Sequence, residues 1–397
     1  MTRTTPPRPV DAEALFPALA GYRRTSTRLH PRPGSPKTDE SSVAGPLRWP
    51  AGEPWPVCTA VHPKGSGHRL SDVRLRRRIL DEAWHRDPGS GPTAAEREVL
   101  DALQPGPHAP RIGDSDSIPL LAAAQLFTRD IPDLTGPDGC DLLQILWCPF
   151  EVHGPDRTVD VVLKWRRSQD VGEVLAVIPE PVVVGRPECV PNPCVLHPER
   201  VVEHEYEGLL DEDLQEAIDT WEAGDDEEDD DAFDSSSSSD TTFDTYGEYE
   251  AATAAARAEE ADEVTYRGDL SIAPGWKVGG FASWHLTDPA HLACGVCRAP
   301  MPPLLTVDVS EWDGASESWI PLEDRDFLPD SRISDPTGVY LGRGLMRVHT
   351  CPPPRRIRIG SASSRRRVLP GGQAWLTGRT SGERAPAWAA AEVIRLR

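Results

Sequence analysis

The spacing of apolar and polar residues predicts a chain of many short elements in which helices are few. Across Ser71–His85 the apolar residues repeat at i, i+4, i+5, i+8 and i+9, which is one stripe of a 3.6-residue period and predicts a helix. A second helix is predicted over Ala94–Leu103, because Thr93 and Glu96 have the spacing of a capping box. A shorter helix is predicted over Leu209–Trp221. The 41 Pro and 32 Gly residues favour turns over longer helices elsewhere.

Short apolar runs bounded by Gly or Pro predict β-strands. The run Leu142–Trp147 is too short for an ordinary helix and is followed by Pro149, so it is predicted to be a strand. Pro179 and Pro181 interrupt a β-branched region, which is typical of edge strands. Further strands are predicted within Ile118–Asp133, Val159–Trp165, Val174–Ile178, Val182–Val184, Val201–Glu207, Pro303–Asp308 and Gly344–Cys351.

The net charge of −22 is concentrated in one segment of the chain. Glu207–Glu263 holds 23 acidic residues and one Arg, and the remaining residues balance one another in charge. Within this segment, Asp225–Asp231 is an unbroken acidic run and Ser235–Ser239 is a serine tract. Such a composition buries too little apolar surface to offset its ordering entropy, so we predict that the segment is a linker.

These elements predict an α+β protein with two similar β-rich lobes, related by internal duplication and built mainly from antiparallel sheets with a few helices. A chain of 397 residues is too long for one ordinary core, which agrees with two lobes. The predicted organisation is a disordered N-terminal tail over residues 1–42, a first lobe over 43–208 with a helical insertion at about 70–104, an acidic Ser-rich linker over 209–265, a second lobe over 266–351 and an Arg-rich C-terminal tail over 352–397.

The N-terminal residues and the cysteine content favour a cytoplasmic protein. Met1–Arg24 lacks the apolar stretch of a secretory signal, and no window approaches the ~18 apolar residues that span a membrane. Eight Cys in a chain of this size are not disulfide-dense, so paired Cys are interpreted as reduced thiols or metal ligands. We therefore expect no membrane partner.

Three motifs occur in the same order in both halves of the chain. A Trp motif is followed by a Pro-Leu-Leu strand and then by a Leu-rich strand that ends in Cys. Short apolar strings recur by chance, so this order alone is a weak signal of duplication. The paired motifs are Pro46-Leu-Arg-Trp49 with Gly279-Gly-Phe-Ala-Ser-Trp284, Pro119-Leu-Leu with Pro303-Leu-Leu, and the strands ending at Cys148 and Cys351.

Through the Gly-Gly-x-x-x-Trp motif at Gly279–Trp284 and the Cys-x-x-Cys motif at Cys294–Cys297, the chain resembles the YwqG-like bacterial family of unknown function. In that family a Leu-Leu-rich strand and a late strand ending near Cys follow in the same order. The match is best over Lys277–Cys351, and Pro46–Glu207 also fits. The resemblance implies a duplicated, β-rich α+β fold and no established reaction. This sequence departs from the family at Cys351, which is followed by Pro-Pro-Pro-Arg-Arg in place of a further Cys or His.

One constellation could carry chemistry. Cys294-Gly-Val-Cys297 has the spacing of a zinc knuckle, in which two thiolates bind one ion. A tetrahedral structural site needs two more ligands, and His349 shares a strand face with Cys351. Thiols without a metal are the competing interpretation, whereas a redox role is not favoured because no βαβ pattern surrounds the motif. The predicted ligands of a structural zinc are Cys294, Cys297, Cys351 and His349, with His291 and His285 as alternatives for the fourth.

Twelve Trp residues and the glycine pair favour a binding surface. We expect a cleft between the lobes that takes an unknown protein or peptide partner. Packing in the core is the competing interpretation for the Trp residues beside Pro. The predicted binding residues are Trp49, Trp55, Trp276, Gly279, Gly280 and Trp284.

The favoured function is therefore non-enzymatic binding of a protein or peptide. The sequence has no nucleophile elbow, phosphate loop or His-Glu-x-x-His motif. One alternative is a hydrolase whose His and carboxylate groups meet only in three dimensions. Another is nucleic-acid binding through Pro352–Arg397, which holds ten Arg and two acidic residues. That tail also suits loose pairing with the acidic linker, so nucleic acid is not the partner we expect.

Overall fold

Two six-stranded antiparallel sheets organise the chain. The computed structural model describes residues 2–87, 89–103, 112–151, 153, 159–224, 264–284, 288–290, 292–294, 297–327, 331–342, 344–351 and 391–395. The predicted acidic run and serine tract lie outside these residues, as does most of the Arg-rich tail. Helices and antiparallel sheets are both present, which confirms the α+β class. Within the described ranges, no helix is long and apolar enough to cross a membrane.

The strands are β1 (Arg23–Arg28), β2 (Arg32–Pro33), β3 (Ser42–Val43), β4 (Val57–Cys58), β5 (His68–Arg69), β6 (Ile118–Pro119), β7 (Leu121–Phe127), β8 (Leu142–Trp147), β9 (Val161–Arg166), β10 (Val183–Val184), β11 (Cys194–Val195), β12 (Glu199–His204), β13 (Lys277–Gly279), β14 (Pro303–Asp308), β15 (Leu345–Thr350) and β16 (Ala391–Arg395). The helices are α1 (Ala12–Leu15), α2 (Leu70–Arg86), α3 (Ala94–Ala102), α4 (Glu212–Ala223) and α5 (Ser331–Ser334). Short 3₁₀ turns and one π-helical turn at Tyr266–Ser271 connect them.

The three predicted helices all form, within a few residues of their expected bounds. The apolar stripe of α2 is buried through Leu70, Val73, Ile79 and Ala83. At α3 the side chain of Thr93 accepts from the backbone N–H of Glu96, and the Glu96 carboxylate accepts from the backbone N–H of Thr93. The capping box is therefore confirmed, and it supplies partners for N–H groups that the helix itself leaves open.

The two sheets exchange strands. Sheet N has the order β2-β11-β3-β7-β8-β9, and sheet C has the order β12-β1-β13-β14-β15-β16. β1 lies beside β13 in sheet C, although the chain runs on from it into β2 of sheet N. β12 likewise lies in sheet C, although it follows β11 of sheet N. Each sheet therefore depends on a strand that is distant in sequence.

The exchange corrects the predicted N-terminal tail and the border between lobes. Residues 23–28, assigned to a disordered tail, pair with both β12 and β13, and Ser26, Thr27 and Arg28 are fully buried. All six residues are polar, so the sequence shows no strand pattern, and the strand forms because its partners are supplied from elsewhere in the chain. Residues 199–204, assigned to the first lobe, belong to sheet C. At the other end, residues 391–395 of the expected tail form an edge strand on β15.

A common hydrophobic core lies between the sheets. One buried cluster includes Val43 and Leu143 from sheet N together with Val278 and Val348 from sheet C. Successive side chains of a strand point to opposite faces, so Leu143 and Ile145 of β8 enter this core while Leu146 packs on the other face of sheet N. A smaller cluster covers the other face of sheet N and contains Trp49, Leu146, Phe150, Cys58 and Cys148 among its members.

The central strands of the two sheets have matching registers. In sheet N the β7–β8 ladder shifts between Ala122 and Ala124, and in sheet C the β14–β15 ladder shifts between Pro303 and Leu305. A bulge at the same place in both ladders aligns Ala122 with Pro303. In this register Pro303 takes the position of Ala122 and not that of Pro119, with which the sequence comparison paired it. Cys148 and Cys351 each directly follow the strand that pairs with the bulged strand.

Candidate metal centres

Four side chains that are distant in sequence converge beside sheet N. Cys58 ends β4, and His62 follows it in the next loop. Cys148 directly follows β8, and His153 comes shortly after it. Their two sulfur and two nitrogen donor atoms all lie within 4.8 Å of one another. The antiparallel pairing of β4 with β6, which continues into β7, brings the two halves of the group together.

The distances in this cluster match the edges of a tetrahedral zinc site. Nε2 of His62 lies 3.2 Å from Sγ of Cys58 and 3.3 Å from Sγ of Cys148. Nε2 of His153 lies 3.7 Å from Sγ of Cys58. Usual zinc–sulfur and zinc–nitrogen bond lengths at a tetrahedral angle place neighbouring donors ~3.6 Å apart. The donor set therefore fits a zinc ion in both chemistry and size.

The surroundings hold these donors in place. The ring of His62 stacks on Phe150, with centroids 4.6 Å apart and an interplanar angle of 5°. The backbone N–H of Ala60 donates to Sγ of Cys58 at 3.4 Å. His62 is fully buried and His153 is 8% exposed. A closed shell of this kind is typical of a structural site and not of one with a free coordination position.

The shifted pKa values in this cluster favour protonation states that can bind a cation. A hydrogen bond with Cys148, then one with His153, lowers the pKa of Cys58. The same hydrogen bond raises the pKa of Cys148, so the pair favours one thiolate and one thiol in the absence of a cation. Burial lowers the pKa of His62, which keeps its imidazole neutral and its lone pair available to a metal.

The predicted thiol cluster forms in the second half of the chain. Sγ atoms of Cys294, Cys297 and Cys351 lie within 4.8 Å of one another, and those of Cys297 and Cys351 are 3.2 Å apart. A tight backbone loop shapes the knuckle, because the N–H of Arg298 donates to the carbonyl of Cys294 at 2.8 Å. Burial, aided by the adjacent thiols, raises the pKa of Cys351 to about 12. Three thiols held this close need a cation to ionise together.

His349 does not join the three thiols. Its Nδ1–H donates to the carbonyl of Met301 at 3.0 Å, and its Nε2 is buried without a partner among the described residues. Burial lowers the pKa of His349 to about 4, so the ring is neutral with a lone pair on Nε2. Among the described residues, the donor atoms that lie within 4.8 Å of one another are those of the three thiols alone, so His349, the predicted fourth ligand, is not part of this group. The alternatives, His285 and His291, lie outside the described residues.

The two clusters occupy corresponding places in the two sheets. Cys148 and Cys351 each directly follow the central strand, β8 or β15. Cys58 follows Val57, which pairs with a proline just before β7. Cys294 follows Ala293, which pairs with a proline just before β14. The chain contains no Cys or His after Cys351 that would correspond to His153. The bridges are Val57 with Pro119 and Ala293 with Pro300.

The predicted binding tryptophans mostly serve the core. Trp49 is fully buried, and its Nε1 donates to the carbonyl of Glu53 at 3.0 Å. Trp55 packs on it with ring centroids 4.9 Å apart. Trp276 lies in the core between the sheets, 6.4 Å from the ring of Trp147. These three do not form one cleft with Trp284, because they lie in different clusters that the strand order keeps apart.

The backbone conformation at positions 279 and 280 explains why both residues are glycine. Gly279 and Gly280 have φ of 75° and 71°, in the left-handed region that other residues rarely adopt. A Cβ on Gly280 would lie 2.2 Å from Oε2 of Glu203. That buried carboxylate accepts from Nζ of Lys277 at 2.6 Å and from the backbone N–H of Phe281 at 2.9 Å. The two glycines therefore allow the backbone to turn directly beside the buried ion pair of Glu203 and Lys277.

An open cleft of about 700 Å³ adjoins the second cluster. Gly279, Gly280 and Trp284 line it, so three of the predicted binding residues meet there. Cys351 and His349 form part of the same wall. The remaining wall is mixed in character and includes Arg24, Asp133, Trp165, Glu205, Leu292 and Arg298.

The sequence reasoning missed the cluster at Cys58, His62, Cys148 and His153. A signal was present, because each half is a Cys followed within a few residues by a His. The halves are separated by two helices and several strands, and neither half is specific alone. Comparison with models of known protein families and with curated proteins finds no match to the chain. The resemblance to the YwqG-like family therefore stays a prediction.

Proposed function

We propose that this protein is a zinc-stabilised, non-enzymatic binding module that takes a protein or peptide partner in the cleft beside Trp284. The observation that carries the zinc assignment is the buried group of Cys58, His62, Cys148 and His153, with donor atoms at tetrahedral spacing. Two thiols and two imidazoles form a borderline-soft donor set that suits Zn²⁺ and lacks the oxygen ligands that Mg²⁺ and Ca²⁺ prefer.

Zinc at this group would fasten sheet N to its outer layer. β4 pairs with β6 through two residues, and one ion would tie β4 and the loop carrying His62 to the end of β8. The free thiols that such a site needs persist in a reducing compartment, so we also propose a cytoplasmic location. The module would then bind metal for stability and bind its partner through a separate surface.

Metal analysis of the purified protein tests the zinc assignment. We expect bound zinc, and we expect Cys148→Ser to remove about one equivalent and lower the unfolding temperature, since structural zinc contributes directly to folding. Cys140→Ser is the matched control, because Cys140 belongs to neither cluster. Zinc-free protein, or a Cys148→Ser variant with unchanged zinc content and melting temperature, would refute the proposal.

The cleft supports a peptide partner by its size and lining. A volume of about 700 Å³ is in the range of specific ligand sites, and apolar walls near Trp284 alternate with charged groups such as Arg24 and Glu205. Arg24 lies 4.6 Å above the ring of Phe281, which leaves an apolar floor with charged sides. Such a lining matches a peptide with mixed side chains better than a uniformly charged polymer.

Site-specific photo-crosslinking tests the location of the partner. A photoreactive residue at Arg298, in the cleft wall, should capture a partner that then binds the purified protein. The same residue at Val177, which is 79% exposed and outside the cleft, is the control. Equal capture at both positions, or no binding by the purified partner, would count against the cleft.

The second cluster supports one alternative function, a metal-dependent hydrolase. Among the described residues it offers three thiols, and it shares a cleft wall with the unpartnered Nε2 of His349. Zinc held by three protein ligands keeps a position for an activated water. Zinc-loaded protein that hydrolyses ester or phosphate reporters, with loss of turnover in His349→Gln, would favour this alternative over binding.

We also infer that the two halves arose by internal duplication. The coincident bulges, the paired left-handed residues at Ala44–Gly45 and Gly279–Gly280, and the corresponding metal clusters support this inference. Trp49 and Trp284 follow their left-handed pairs at the same spacing, which independent origins would not be expected to produce. An alignment of homologues in which the two halves fail to match would refute it.

A further inference from the structure

The second cysteine cluster differs from the first in the chemistry of its donors. Cys294 and Cys351 occupy the places in sheet C that Cys58 and Cys148 occupy in sheet N. Two imidazoles complete the first cluster, whereas the third member of the second is the thiol of Cys297. Within the described ranges, the second cluster is therefore a group of sulfur donors alone.

A methionine places a further sulfur-containing side chain against this group. Met301 is 6% exposed and forms one buried cluster with Cys294 and Cys351. Its backbone is fixed on both sides, because its N–H donates to the carbonyl of Leu292 at 2.8 Å and its carbonyl accepts from Nδ1 of His349 at 3.0 Å. The thioether is thus held beside two of the three thiols.

The first half of the chain has Leu120 at the position of Met301. Each residue directly follows a proline that pairs with the residue before the first Cys of its cluster. Leu120 is buried in one cluster with Cys58 and Cys148, as Met301 is with the thiols of the second half. Leu and Met exchange at little cost in packing, so either residue fills the space. The difference that the second half introduces is a polarisable sulfur atom.

The second cluster is open to solvent, and the first is closed. Cys297 is exposed, and Cys351 lines the cleft of about 700 Å³. Cys58, His62 and Cys148 of the first cluster are all buried. A metal ion can therefore reach and leave the second cluster through the cleft, without unfolding of the protein.

We propose that the second cluster binds a soft monovalent metal ion of the Cu(I) class through Cys294, Cys297, Cys351 and the thioether of Met301. Thiolate and thioether ligands together select Cu(I). Zinc is held by thiolate, imidazole and carboxylate ligands, and a thioether is not among its usual ligands. The protein would then hold two kinds of metal, with zinc in the closed cluster and an exchangeable soft ion in the open one. This inference does not depend on zinc in the first cluster.

Anaerobic titration of the full chain with Cu(I), in competition with a chromogenic Cu(I) chelator, tests the site. We expect one equivalent of Cu(I) to resist the chelator, and X-ray absorption at the copper edge to show a first shell of sulfur alone. Nitrogen in that shell, which a ligand such as His285 or His291 would supply, would overturn the proposal. Displacement of the Cu(I) by an equal concentration of Zn²⁺ would also overturn it.

Two variants test the assigned ligands. Cys297→Ser changes an exposed thiol and should weaken Cu(I) binding at least about tenfold, because even changes outside the ligand shell weaken metal binding about 10- to 100-fold. Met301→Leu introduces the residue of the first half and should weaken it about tenfold. Met346→Leu, in the core between the sheets, is the matched control for the methionine, and Cys140→Ser is the control for the thiol.

Both controls should bind Cu(I) as the parent protein does. Circular dichroism confirms that each variant is folded, and the exposed position of Cys297 keeps the test decisive if Met301→Leu unfolds. Cys148→Ser separates this proposal from the zinc assignment, because it removes a ligand of the first cluster and should leave Cu(I) binding unchanged. Parent protein that loses Cu(I) to the chelator, or equal affinity in Cys297→Ser and the parent, would overturn the proposal.

Discussion

The glycine at position 280 is required by the fold, and replacing it with Ala provides a quantitative test. Its φ is +71°, and a Cβ there would lie 2.2 Å from Oε2 of Glu203 and 2.8 Å from Cβ of Ser26. Glu203 is fully buried and pairs with Lys277. A methyl group therefore cannot enter unless the carboxylate leaves its ion pair.

The expected loss has two parts. A left-handed backbone costs a residue other than glycine about 1–2 kcal/mol. Breaking a buried ion pair costs about 3–5 kcal/mol, because it leaves a charge without compensation. The sum of about 4–7 kcal/mol is a large part of the ~5–15 kcal/mol by which a domain is usually stable. Gly280→Ala should therefore fold poorly or unfold at much lower denaturant concentration.

Urea denaturation followed by tryptophan fluorescence measures this loss. Gly91→Ala is the matched control, because Gly91 also has positive φ, +62°, and a Cβ added there would have nothing within 4 Å, so only the backbone cost applies. Gly52→Ala, at an open site without positive φ, controls for the substitution itself. If Gly280→Ala loses no more free energy of unfolding than Gly91→Ala, the packing argument is wrong.

Two further predictions concern buried charges. Burial raises the pKa of Asp308 to about 7, above its unfolded value of ~3.9, so the folded protein holds this proton more tightly and its stabilising effect declines as the pH rises from about 4 to about 7. Asp308→Asn should flatten that part of the stability–pH curve in thermal unfolding, and an unchanged slope would contradict this. Lys277→Met should cost about 3–5 kcal/mol because Glu203 stays buried without its cation, and the double variant with Glu203→Gln should cost less. A double variant that loses the sum of the two single losses would show that the pair is not coupled.

Local sequence signals determined the regular elements. The helix over residues 70–86 follows from its apolar stripe, and the start of the helix at Ala94 follows from the capping box. The strand at residues 142–147 follows from a short apolar run between turn residues. These predictions succeeded because periodicity and capping act between residues a few positions apart. The Cys-x-x-Cys spacing likewise indicated the thiol pair of the second cluster.

The tertiary structure decided the assembly of those elements and the composition of the candidate sites. Strand β1 reads as a polar tail until β12 and β13 supply its partners, because hydrogen bonding across a sheet is independent of separation along the chain. The four ligands beside sheet N meet for the same reason, since Cys58 and Cys148 come together only when β4 and β8 fold against a common core. The packing of Met301 on Cys351 depends on the pairing of β14 with β15, and no pattern along either strand specifies that neighbour.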